Sequence, residues 1–138
     1  MKRVCRLTIV FSWLCITAMF AQGEKVFVKS LTLTTSSVVT DLEGKVTFEE
    51  WDKDFVRVQV TVKIHNTEEQ IIQRLAAVGR YDIIGENKDG NLLITMPKIA
   101  TPVRIKGVLL QEEITYQILV PERTTTDIIL PLPNGEGL

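Results

Sequence analysis

The chain has 138 residues, 45% of them hydrophobic and 24% charged, and carries a formal charge of −1 at pH 7. That length and even composition argue for one core, and the lack of a basic excess argues against a nucleic-acid surface, whose affinity rests on neutralising phosphates. One histidine and two cysteines leave little material for a metal centre or a disulfide framework.

Three cations, Lys2, Arg3 and Arg6, open the chain, and an uncharged apolar run follows from Leu7 to Phe20. A positive start, a short apolar stretch and small residues at Ala18, Ala21 and Gly23 are the layout of a secretory signal, with cleavage expected after Ala21. The run is shorter than the roughly 20 apolar residues that a spanning helix needs. An uncleaved signal anchor is the competing reading, because Met19 stands where alanine is preferred. Cys5 lies among the charges and Cys15 follows Trp13 and Leu14, so neither is placed for lipidation. The expected organisation is thus a signal over residues 1–21 and a single β-rich domain over 22–138.

Removing 21 of 138 residues leaves 117, and the loss of three cations takes the basic count from 16 to 13 against 17 acids, a formal charge of −4. The remaining domain has no cysteine and no Asn-x-Ser/Thr site. An oxidising compartment without disulfides fits a bacterial periplasm or cell surface better than an animal secretion. No stable membrane insertion is expected after cleavage.

In chain order, Val26–Thr34 and Val38–Leu42 are rich in β-branched residues and predict strands. Val46–Phe48 follows a Glu43-Gly44-Lys45 turn signal. From Phe55 to His65, Val56, Val58, Val60, Val62 and Ile64 alternate with Arg57, Gln59, Thr61, Lys63 and His65, the mark of a strand with one buried and one wet face. Thr67-Glu68-Glu69-Gln70 has the form of a capping box, with Thr67 as N-cap. Ile71, Ile72, Leu75, Ala76 and Val78 then recur at helical spacing until Gly79 offers a left-handed stop. Tyr81–Glu86 and Asn91–Met96 flank an Asp89-Gly90 hairpin signal. Val103–Leu110, Glu113–Val120 and Thr126–Leu132 complete about eight short strands. The fold class expected is mainly β, either sandwich-like or an incomplete β-solenoid, with one short helix packed on the sheet.

Little in this pattern carries chemistry. His65 is expected on a wet strand face, where Glu49, Glu50, Asp52 and Asp54 are the nearest acids in sequence and have no ligand spacing. Asp52-Lys53-Asp54 and Asn87–Asn91 resemble calcium loops faintly but lack the terminal bidentate acid, and serve as turns. Ser30, Ser36 and Ser37 sit in no nucleophile elbow. The chain is therefore read as non-enzymatic, with no catalytic, metal or cofactor residues. Trp51 is either a plug closing the sheet at a turn or a ligand-stacking residue. Leu93, Leu119 and the strand ending at Leu132 are candidates for an apolar partner-contact edge.

Two segments carry a family resemblance. Gly44-Lys45-Val46-Thr47-Phe48-Glu49-Glu50-Trp51-Asp52-Lys53-Asp54-Phe55-Val56-Arg57-Val58 resembles a rung of the bacterial exported putative-adhesin family with β-strand repeats. Ile114–Pro121 is similar to the strand that ends in Val-Pro before the repeated rungs of those proteins. Leu75–Tyr81, with Met96-Pro97 and Lys106-Gly107, is similar to segments of uncharacterised exported relatives. The resemblance spans roughly residues 31–125 and implies a short member lacking the stacked rungs, with no catalytic residues to carry over. The hairpin Asp89–Lys98 also resembles that of small heat-shock sandwiches, a convergence of turn and strand chemistry. The function expected is a non-catalytic cell-envelope protein, an adhesin-like interaction domain whose partner is a protein or a cell-surface ligand. The alternative is a periplasmic holder of ligands or polypeptides, chaperone-like, using an apolar groove between sheet and helix.

Overall fold

The computed structural model describes residues 23–65 and 67–129. The expected signal over residues 1–21 lies outside the described residues, as does the chain from 130 onward. Ten strands, one α-helix and one short 3-10 helix occur among the described residues. They build two four-stranded sheets and a small hairpin, with no closed barrel and no solenoid. The sandwich alternative is therefore the one realised.

The first sheet contains β1 (Gly23–Thr32), β3 (Lys45–Trp51), β4 (Phe55–Ile64) and β9 (Glu112–Pro121), in the order β1-β4-β9-β3. The second contains β2 (Ser37–Asp41), β5 (Ile84–Lys88), β6 (Asn91–Thr95) and β10 (Thr125–Ile128), in the order β10-β2-β6-β5. Both sheets are mixed, with β3 parallel to β9 in one and β2 parallel to β6 and β10 in the other.

The expected alternation holds on both central strands. Val56, Val58, Val60, Val62 and Ile64 of β4 and Ile114, Tyr116, Ile118 and Val120 of β9 are buried, and they share one core with Val38, Leu92 and Ile94 of the second sheet. Each such side chain removed from water is worth roughly 1.5–3 kcal/mol before the entropy of ordering is set against it. Helix α1 (Glu69–Ala77) closes one end of this core through Ile72.

The order of the first sheet contains a crossing. Strands β3 and β4 are joined by only residues 52–54, yet β9 lies between them, parallel to β3 and antiparallel to β4. Three residues suffice because the link spans two strand spacings, about 10 Å, within the reach of an extended chain. The Trp51 indole Nε1 donates to the carbonyl of Phe55 at 2.9 Å, and the two rings meet edge to face at 4.8 Å. Trp51 thus clasps the crossing from the outer face, half-buried and outside the core.

Several local expectations are corrected. The N-cap of α1 is Glu68, and no side chain caps it, so the helix begins one residue later than a Thr67 box requires. Val78, expected on the apolar face, is the C-cap residue and is 68% exposed, because the last turn has already left the core. The strand expected over Val103–Leu110 is a hairpin of β7 (Arg104–Ile105) and β8 (Val108–Leu109). Lys106 and Gly107 both take positive φ there, +51° and +80°, and reverse the chain. Strand β5 starts at Ile84 rather than Tyr81, whose ring turns inward to stack on Phe27 at 5.4 Å. The Asp89-Gly90 turn forms as expected, with φ of +52° and +78°.

Candidate functional site

The most strongly buried ion pair among the described residues is built by chain segments far apart in sequence. Arg80, just after the Gly79 stop, sends Nε and one Nη to the Glu112 carboxylate at 2.9 Å each. Its other Nη donates to the carbonyls of Thr101 at 2.7 Å and Lys98 at 3.2 Å. Tyr81 donates its phenol to Glu112 at 2.7 Å. Burial works against the Arg80 charge, but the hydrogen bond and charge of Glu112 outweigh it, and Arg80 is held above its ordinary range. Burial, reinforced by Glu112, pushes Tyr81 well above the usual phenol value. The cluster borders a cleft of about 390 Å³, yet its donors and acceptors are spent on one another and on the backbone turn of Pro97–Ala100. Among the described residues no buried side-chain polar atom lacks a partner. The cluster is a clamp that ties helix end, turn and β9 together.

His65 is not brought to the acids proposed as its neighbours. It lies just past the end of β4, whereas Asp52 and Asp54 precede the start of that ten-residue strand, roughly 30 Å away. Its Nε2 meets the Glu113 carboxylate at 3.0 Å on the surface. Among the described residues, no three His, Cys, Asp or Glu side chains are grouped to hold a metal.

The outer face of the first sheet is a different kind of surface. Register places four rows of side chains across it. Glu24, Lys63 and Glu113 form the first, and Val26, Thr61, Thr115 and Lys45 the second. Val28, Gln59, Gln117 and Thr47 form the third, and Ser30, Arg57, Leu119 and Glu49 the fourth. The middle of the face is uncharged amide and hydroxyl, with Val26 and Val28 standing 46% and 52% exposed at its β1 margin. Charges lie at the ends, where Glu24 meets Lys63 at 3.8 Å and Gln117 donates to Glu49 at 2.8 Å, and at the β3 margin, where Lys45 ends the second row. A hollow of about 340 Å³ opens between Lys45, Thr47, Gln59, Thr61, Thr115 and Gln117.

Two of the sequence-derived contact residues fall on this face. Leu119 is half-buried opposite Arg57 and Glu49, and Trp51, two residues beyond Glu49 on β3, shares its side of the sheet. Leu93 does not join them. It lies on the second sheet, in register with Val39 and Glu86, beside a separate hollow of about 210 Å³ that Ile129 also lines. Arg80, Glu112 and the amide-hydroxyl rows were not singled out from sequence. The wet half of β4 was legible in its alternation, but its flanking strands come from residues 23–32 and 112–121.

A second cleft, about 640 Å³, separates α1 from the β7–β8 hairpin and is lined by Ile71, Arg74, Ile105, Val108 and Leu110 among others.

No protein-family model matches the chain, and no curated protein matches it. Among solved structures, the chain is distantly similar to one described as a "putative cell adhesion protein" from Clostridium sporogenes, at 13% identity and a TM-score of 0.41. The likeness covers 76% of this chain but 45% of that one, so this chain spans less than half the length of that structure.

Proposed function

We propose that this chain is a non-catalytic interaction domain of the bacterial cell envelope, exported by its N-terminal segment and acting through the outer face of the first sheet. The observation that carries the reading is that face: four strands wide, uncharged at its centre, with exposed Val26 and Val28 and the half-buried Leu119 and Trp51 set into it. The edges of the sheet fit contact by face rather than by added strands. Lys25 and Lys29 on β1 and Glu50 on β3 stand at inward-phase positions of edge strands, a placement that obstructs pairing with another chain.

The test is retention of the full-length chain on isolated cell-envelope fragments. Saturable binding that Gln59→Arg reduces at least tenfold, and Leu93→Arg on the opposite sheet leaves intact, is expected. Binding unaffected by Gln59→Arg overturns the reading.

The cleft between α1 and the β7–β8 hairpin favours one second reading, a holder of extended apolar polypeptide segments. It predicts that the chain suppresses aggregation of an unfolding client and that Ile71→Asp abolishes the effect. Leu93 does not line that cleft and is expected to have no part in it.

A further inference from the structure

We propose that the ligand of the outer face is a neutral, hydroxyl-rich polysaccharide; this rests on the face being the interacting surface. Thr47, Gln59, Thr61, Thr115 and Gln117 stand side by side on β3, β4 and β9 around the 340 Å³ hollow. Amides and hydroxyls each offer both donors and acceptors, which is what sugar hydroxyls require in return. Neighbouring strands are about 4.8 Å apart, so the array repeats on the scale of a single sugar ring and suits a polymer better than a lone sugar.

The charge pattern selects against other ligands. Glu24 lies 3.8 Å from Lys63, Arg57 faces Glu49 across Leu119, and Glu113 is hydrogen-bonded to His65. Lys45 borders the hollow from the β3 edge, so three acids and three lysine or arginine cations share the face. The face as a whole therefore carries no excess of either sign to attract an acidic or a basic polymer. Uncharged groups also cost less to strip of water than ions do, provided the ligand replaces their hydrogen bonds. At one end, the rings of Trp51 and Phe55 with Leu119 form an apolar shoulder on the same side of the sheet, against which the less polar side of a sugar ring can pack. A protein partner would be expected to seek a large aromatic or arginine anchor at the centre, and the centre here holds glutamines and threonines.

Electrophoresis of the full-length chain through native gels containing soluble glucans, mannans or galactans tests the inference, with anionic alginate as comparison. Retardation is expected in at least one neutral polymer, unchanged by about 0.5 M salt because no ion pairs form. It should weaken at least tenfold in the Gln59→Ala/Gln117→Ala double variant and by a smaller factor in Thr61→Val, a shape-preserving change suited to a strand. Leu93→Ser should leave it intact. Absence of retardation in every neutral polymer, or retardation only in alginate, overturns the inference. If envelope fragments are then still held in a Gln59-dependent way, the interaction face stands and the ligand class is another. Equal retardation of wild type and double variant means that the polymer is held elsewhere and overturns the inference.

Discussion

Arg80 and Glu112 meet as a two-point ion pair, 2.9 Å at each point, with both side chains only 8% exposed. They lie 32 residues apart in sequence, and the guanidinium also reaches the backbone of Lys98 and Thr101. Removing one partner leaves a largely buried charge without its counter-ion. Glu112→Leu is expected to cost about 3–5 kcal/mol, whereas Arg80→Met with Glu112→Leu should cost less than the two singles together. The double leaves no unpaired charge and only the Tyr81 phenol and the Lys98 and Thr101 carbonyls without their partners. Urea unfolding of Arg80→Met, Glu112→Leu and the double, closed as a cycle, measures the coupling. Additive losses would mean that the pair does not act as a unit.

The two tyrosines give the fold an alkaline limit. Burial, then the hydrogen bond to Glu112 and its charge, raises Tyr81; burial, then the charges of Glu43 and Glu112, raises Tyr116, whose phenol donates to the Glu43 carbonyl at 3.2 Å. Both phenols hold their protons in the fold beyond the ordinary pKa of 10.0. Their contribution is therefore complete below about pH 10 and is lost as pH rises above it, by about 1 kcal/mol per pH unit for each phenol. Unfolding midpoints measured between about pH 9 and 11 should fall, and Tyr116→Phe should flatten that fall. An unchanged slope in the variant would show that Tyr116 ionises equally in both states.

Much of this fold was legible, and what escaped has a common physical origin. The period of two in Phe55–Ile64 and in Glu113–Val120, and the Asp89-Gly90 turn, are local signals and appear where expected. The slotting of β9 between β3 and β4 is not local, because it joins residues some 60 apart. Without it the rows Thr61–Thr115 and Gln59–Gln117 cannot be written down. The Arg80–Glu112 clamp depends on the same long-range placement. The Val103–Leu110 segment failed for a different reason: a lysine at φ +51° beside Gly107 makes a turn in a stretch whose composition reads as strand.

Two glycines separate backbone strain from steric closeness. Gly44 has φ of +134°, and a Cβ there would lie 2.4 Å from the carbonyl oxygen of Ile114 on β9. Gly90 has φ of +78° with nothing within 4 Å. Gly90→Ala should cost only the left-handed penalty, about 1–2 kcal/mol. Gly44→Ala must also push β9 away from the β2–β3 turn, so its loss in chemical denaturation should be at least twice as large. Equal losses would show that the strand yields freely at that point.

Trp51 distinguishes clasp from contact most sharply. Its indole holds Phe55 by a 2.9 Å hydrogen bond and an edge-to-face ring contact, just where residues 52–54 carry the chain across the end of β9. Trp51→Phe keeps most of the ring packing and removes the donor, so a loss of about 1 kcal/mol is expected. Trp51→Ala removes both and should cost roughly 3 kcal/mol, toward the lower end for a large aromatic because the site is only half-buried. Thermal and urea unfolding of the two variants read these losses. A clasp makes stability fall in steps from tryptophan to phenylalanine to alanine. A residue kept for ligand contact alone would leave stability level across the series while binding to the outer face declined.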